Sequence, residues 1–102
     1  MGEVNLIEAE GRGDHVEAPF GPVPVAAEGP VTLAIRPEHL GAGGAATLGE
    51  AAVEDAAFFG AHLRVRARLG SAEITAHMPP AAEVGEVVAL SVDPALIRVF
   101  PR

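Results

Sequence analysis

Glycine and proline recur so often along this chain that no long helix has room to form. Turn signals stand at Gly11-Arg12-Gly13, Phe20-Gly21-Pro22, Glu28-Gly29-Pro30, Gly41 to Gly44, Gly60, Gly70-Ser71, Pro79-Pro80, Gly85 and Asp93-Pro94, and most of the runs between them are short. Proline lacks a backbone donor and glycine loses the most entropy when ordered, so both mark the ends of elements rather than their middles. Many short runs divided in this way predict an all-β barrel or sandwich of short antiparallel strands, with at most one or two short helical turns. The expected strands are Val4–Ala9, His15–Ala18, Val23–Ala27, Val31–Ile35, Val53–Phe59, His62–Leu69, Ala72–Met78, Glu86–Val92 and Ile97–Phe100.

The clearest of these is His62 to Leu69. Leu63, Val65, Ala67 and Leu69 fall on one face, and His62, Arg64, Arg66 and Arg68 on the other. Period two marks a strand buried on one side. Gly70-Ser71 then supplies a two-residue turn, with glycine taking the positive φ that its first position needs. Beyond it Ala72, Ile74, Ala76 and Met78 alternate with Glu73, Thr75 and His77. That register sets Arg68 opposite Glu73, Arg66 opposite Thr75 and Arg64 opposite His77.

Ala45 to Phe59 is ambiguous. Its Ala, Leu and Glu content favours helix, but Gly49 interrupts it and Val53 to Phe59 runs into Gly60 as a strand enters a hairpin. Its second half is therefore read as strand, and residues 41–46 as a flexible loop. Pro37 ends the extended run before it, and Pro-Glu-His-Leu fits one helical turn. Val92-Asp93-Pro94-Ala95 repeats the device.

Composition narrows the chemistry. The chain has 102 residues, the size of one domain, with no cysteine and a net charge of −7. Thiolate nucleophiles, disulfides and zinc–thiolate sites are thereby excluded. An acidic surface with few aromatic residues argues against nucleic acid as a partner. All seven basic residues are arginine, so a lysine-bearing phosphate loop cannot occur. Ser71 and Ser91 lack a nucleophile elbow. No apolar run approaches the roughly 20 residues that span a bilayer, which argues against direct membrane insertion. Met1 to Glu10 is too acidic and too polar for a signal peptide.

Three polar groupings remain as candidates. The stripe Arg64, Arg66 and Arg68 has the charge to bind an anion, or to be neutralised by carboxylates such as Glu73. Arg36, Glu38 and His39 form the densest polar cluster after an apolar strand. There the arginine is placed to cap carbonyls, to pair with a carboxylate, or to meet a second subunit. His62 and His77 share the polar face of the hairpin and, given a third ligand, have the chemistry to hold a metal ion.

At Ile35-Arg36-Pro37-Glu38-His39-Leu40 the chain resembles the TOBE (transport-associated oligonucleotide-binding-fold) domain at the C-terminus of ATP-binding subunits in bacterial ABC importers. Gly2-Glu3-Val4-Asn5-Leu6-Ile7 is similar to the family's junction with the nucleotide-binding domain. Val53-Glu54-Asp55 through His62-Leu63 and Ser91-Val92-Asp93-Pro94 through Phe100 also resemble its later strands. The resemblance implies one OB-like β-barrel over residues 1–102, with residues 1–10 as junction from a missing nucleotide-binding half. It further implies a non-catalytic role in regulation and dimerisation, with no cofactor in this piece and ATP and Mg in the parent subunit. The expected partners are a second copy and, through the parent, the transporter's membrane subunits at the cytoplasmic face of the membrane. The alternative is a module binding an oxyanion, as related TOBE domains do, or a metal ion, with the Arg64–Arg68 stripe as its anion site.

Overall fold

A computed structural model describes residues 3–41, 44–80 and 84–102. Among these the order is β1 (Asn5–Gly13), β2 (Val16–Ala18), β3 (Gly21–Val23), β4 (Ala27–Ile35), a 3₁₀ turn (Pro37–His39), β5 (Ala46–Phe58), β6 (Leu63–Leu69), β7 (Ala72–Met78), β8 (Val87–Val92), a second 3₁₀ turn (Pro94–Leu96) and β9 (Arg98–Pro101). The strands form two antiparallel sheets, ordered β3-β2-β1-β4-β9 and β7-β6-β5-β8. The all-β, OB-like expectation holds.

Alternation builds the core. Ile7, Ala9, Val31, Leu33 and Ile35 point inward from the first sheet and meet Leu48, Val65, Leu69, Ile74, Leu90 and Val92 of the second. Val65, Ile74 and Met78 of the β6–β7 hairpin are buried, while Leu63 at its open end is half-buried against the same cluster. The hairpin register is the expected one, with Arg64 opposite His77, Arg66 opposite Thr75 and Arg68 opposite Glu73. Gly70 takes φ +62° at the turn, and a Cβ there would meet the carbonyl oxygen of Pro19 at 2.8 Å. The hairpin tip is thus pressed onto the β2–β3 turn, and glycine is required twice over.

Side chains and one bridge join the sheets. Asn5, 7% exposed, donates from Nδ2 to the carbonyl oxygens of Ile35 at 3.0 Å and Thr75 at 2.9 Å, and its Oδ1 accepts from the Thr75 amide at 2.7 Å. Its carboxamide therefore serves β7 as another strand's peptide group would. Near the other end Gly41 and Ser91 exchange backbone hydrogen bonds of 3.1 and 2.6 Å.

Several expectations are corrected. Val23–Ala27 is not a strand: β3 stops at Val23 and β4 starts at Ala27, passing through Gly29-Pro30. Proline is tolerated there because the Arg102 amide donates to Pro30 O at 3.0 Å. The nitrogen of Pro30 therefore faces the β9 side, beyond the last ladder pair Val31–Pro101. Nor is residues 41–46 a free loop where it is described. Gly41 is bridged to Ser91, Gly44 donates to Ser91 Oγ at 2.7 Å, and Ala46 already belongs to β5; residues 42 and 43 lie outside the described residues. Finally, strand occupies Ala46–Phe58 rather than only the second half of that segment. Its ladders slip at Thr47/Gly49 and at Val53/Asp55. A bulge adds one residue to the inward repeat, so Leu48 and Ala51, three apart, both point to the core. That spacing mimics a helix.

Candidate functional site

The arginine stripe of β6 projects from the sheet as its alternation requires, but each guanidinium has a carboxylate. Arg64 forms a two-point pair with Glu3, with Nε to Oε1 at 2.9 Å and Nη2 on Oε2. That pairing holds the Glu3 carboxyl below its usual range and raises Arg64. Arg66 reaches diagonally to Glu73 at 3.4 Å. Arg68, although opposite Glu73 in the ladder, turns instead to Glu54 of β5 at 3.4 Å. The stripe is a row of neutralised pairs.

The Arg36-Pro37-Glu38-His39 turn has a different setting. Pro37 opens the 3₁₀ turn and is buried, Arg36 and Glu38 are exposed, and His39 N–H donates to Arg36 O at 2.9 Å. Arg36 does not cap the turn. It lies 4.0 Å from Glu38, both side chains more than half exposed, and an exposed pair of that length constrains little. The guanidinium stays available.

Arg36 edges a groove of about 570 Å³ on the outer face of the first sheet, lined by Val4, Leu6, Ala34, Leu96, Arg98 and Phe100 among others. The registers explain its composition. Leu6, Ala34 and Arg98 stand side by side across β1, β4 and β9, and Glu8, Thr32 and Phe100 form the adjoining row. Leu6 is 66% exposed and Phe100 53% exposed. The two proline turns close one end, with Arg36 and His39 from the first and Ala95 and Leu96 from the second. Sequence reasoning singled out Arg36, Glu38 and His39 but missed Leu6, Leu96, Arg98 and Phe100. The available signal was the inversion at Asn5-Leu6, where the polar residue faces inward and the apolar one outward.

His39 also borders a second cleft of about 540 Å³, shared with Glu38, His62, His77, Met78, Ser91 and Asp93. The Nδ1 atom of His39 is buried and has no hydrogen-bond partner among the described residues. His62 and His77 come together as the hairpin implied, their rings stacked with centroids 4.0 Å apart. Phe59 lies against the outer side of His62 at 5.7 Å. Among the described residues no group of three or more His, Asp or Glu side chains is placed to hold a metal ion. At the β1–β2 turn His15 contacts Asp14 at 2.7 Å and Glu17 at 3.0 Å. Asp14 first, and Glu17 with it, raise the His15 pKa, and His15 in turn holds the Asp14 carboxyl below its usual range.

Compared with known protein families, residues 33–100 match the TOBE domain, which covers two thirds of the chain. The chain belongs to the TOBE domain family. A comparison with curated proteins gave no match. The matched span holds all three arginines of the β6 stripe, the Arg36-Pro37-Glu38-His39 turn and the groove residues Ala34, Leu96, Arg98 and Phe100. Leu6 of this TOBE domain comes from β1 and Val4 from the residue just before it, both ahead of that span. Among its described residues no helix is long and apolar enough to cross a membrane.

Proposed function

We propose that this TOBE domain is the non-catalytic regulatory and dimerisation module of the ATP-binding subunit of a bacterial ABC importer. In this reading ATP and Mg are bound by the parent's nucleotide-binding half, because a chain without lysine carries no phosphate loop. The module works at the cytoplasmic face of the membrane, through contact with a second copy and, via the parent, with the membrane subunits. The observation that carries the reading is the placement of the Arg36-Pro37-Glu38-His39 turn at the rim of an exposed apolar groove. Apolar floors edged by available arginines are characteristic of protein contact surfaces. The anion-binding alternative has less support, since Arg64, Arg66 and Arg68 already hold Glu3, Glu73 and Glu54.

Two measurements test the proposal. The coding sequence preceding Gly2 is expected to encode a phosphate loop and an ABC signature; its reading as an unrelated domain overturns the assignment. In the full subunit, Arg36→Glu is expected to lower ATP-driven uptake several-fold while leaving nucleotide affinity unchanged. Unaltered uptake would remove the Arg36 face from the mechanism.

A further inference from the structure

The arginines of this acidic chain are unevenly engaged. Of the seven, Arg64, Arg66, Arg68 and Arg102 each hold a carboxylate. Arg98 makes no ion pair among the described residues, and Arg36 has only Glu38, at 4.0 Å. Both line the groove on the outer face of the first sheet, and no carboxylate belongs to that lining. Glu8, in the row beyond, is taken by Arg102. The floor of the groove is Ala34. It lies between the inward-pointing Leu33 and Ile35 and so faces outward, yet it is only 9% exposed. Leu6 and Arg98 flank it across the ladders, and Arg36 follows two residues along the chain. A single methyl group among longer side chains makes a depression, and Leu96 and Phe100 extend its apolar wall.

We infer that this groove binds a small organic anion, a carboxylate carried on a hydrocarbon body, its head held by Arg98 and Arg36 and its body laid over Ala34 between Leu6 and Phe100. The volume of about 570 Å³ is that of a small-molecule site, roughly 300–1,000 Å³, mostly apolar with a few polar groups that fix orientation. Charge sets the sign of the ligand. On a chain of net charge −7, two guanidiniums without a close carboxylate make a local surface that favours an anion and disfavours a cation. A guanidinium also matches a carboxylate in shape, receiving it through two charge-assisted hydrogen bonds. The apolar wall sets the rest. An inorganic oxyanion would satisfy the arginines but leave Leu6, 66% exposed, and Phe100, 53% exposed, in water, whereas a hydrocarbon body covers both. The inference goes beyond the regulatory reading and rests on it for one consequence only. A ligand here covers Arg36, the side chain which that reading gives to protein contact, so bound anion and partner exclude each other.

Octanoate, octylammonium and acetate are the probes, each titrated into the isotope-labelled 102-residue chain and followed by amide NMR. Octanoate is expected to shift the amides of β1, β4 and β9 saturably, with a Kd of about 0.1–1 mM for a groove open to water. Octylammonium and acetate, each lacking one half of the match, should bind about tenfold more weakly or worse. Arg98→Gln and Arg36→Gln should each weaken octanoate several-fold, and Ala34→Leu should fill the floor and abolish binding. Both arginines are exposed, so the glutamine variants carry the test even where Ala34→Leu lowers the thermal midpoint. Octylammonium or acetate binding as tightly as octanoate, an affinity indifferent to both arginines, or no saturable shift by about 10 mM octanoate overturns the inference. So does a groove that responds to vesicles of anionic phospholipid and not to free octanoate. The regulatory reading fails or stands separately. Uptake still sensitive to Arg36→Glu in a subunit that ignores octanoate leaves the reading intact, and octanoate binding with unaltered uptake keeps the site and removes its regulatory consequence.

Discussion

Asn5 and Leu6 are adjacent and do opposite things. Alternation along β1 sends Asn5 into the seam between sheets and Leu6 out onto the groove. Replacing Asn5 by Ala strands the Thr75 amide and two carbonyl oxygens in a buried site. The expected cost is about 2–3 kcal/mol in a denaturant titration, from buried groups left without partners. Leu6→Ser, by contrast, removes a side chain already mostly in water and should change stability by less than about 0.5 kcal/mol. His15 makes a pH-dependent prediction at the same scale. Its folded pKa is raised, so its contribution is present in full below the ordinary value of about 6.5 and is lost as pH rises through the folded value. Asp14 is lowered, so its contribution is present above the usual carboxylate range and lost as pH falls through its folded value. The pair therefore acts between those two limits. An NMR titration should place the His15 midpoint above the ordinary value, and Asp14→Asn should bring it down.

At the scale of the element, the β6–β7 hairpin was legible in full and β5 was not. In Leu63 to Met78 the face, the register and the turn conformation all followed from period two and one glycine. In β5 two bulges changed the parity of the inward positions, and an alanine-rich strand with three-residue spacing reads as a helix. Turn glycines give a paired test. Gly60 and Gly70 both have positive φ, +75° and +62°, but a Cβ at Gly60 meets open space whereas one at Gly70 meets the Pro19 carbonyl. Asparagine tolerates left-handed backbone, so Gly60→Asn should be nearly neutral. Gly70→Asn should cost about 1–3 kcal/mol, the usual penalty for overpacking, and the difference in unfolding midpoints is the measurement. Equal costs at both sites would show that conformation, not contact with the β2–β3 turn, governs the hairpin tip.

Across the whole molecule, stability and contact are assigned to opposite faces of the same strands. The inner faces share one core, so truncation there should be felt globally: Leu90→Ala, at a position 1% exposed, is expected to cost about 2–5 kcal/mol by cavity formation. The outer face of β1, β4 and β9 presents the groove, and its substitutions should alter association rather than folding. Arg102 ties this layer together from the chain's end. It donates from Nε to Val31 O at 3.0 Å, from Nη2 to Ala9 O at 3.0 Å, and from Nη1 to Glu8 at 2.9 Å. No local pattern reports such a latch, because its partners lie 71 to 94 residues away.

Turn spacing, the hairpin and the Arg36-Pro37-Glu38-His39 segment were determined locally. Glycine, proline and period-two alternation act on neighbouring residues, so an all-β fold could be read from the chain itself. Which carboxylate each arginine takes, how Asn5 closes the seam and where Leu6, Arg98 and Phe100 meet were decided only by the tertiary structure. These depend on the pairing of β1 with β4 and of β4 with β9, contacts between distant segments whose register no nearby residue specifies.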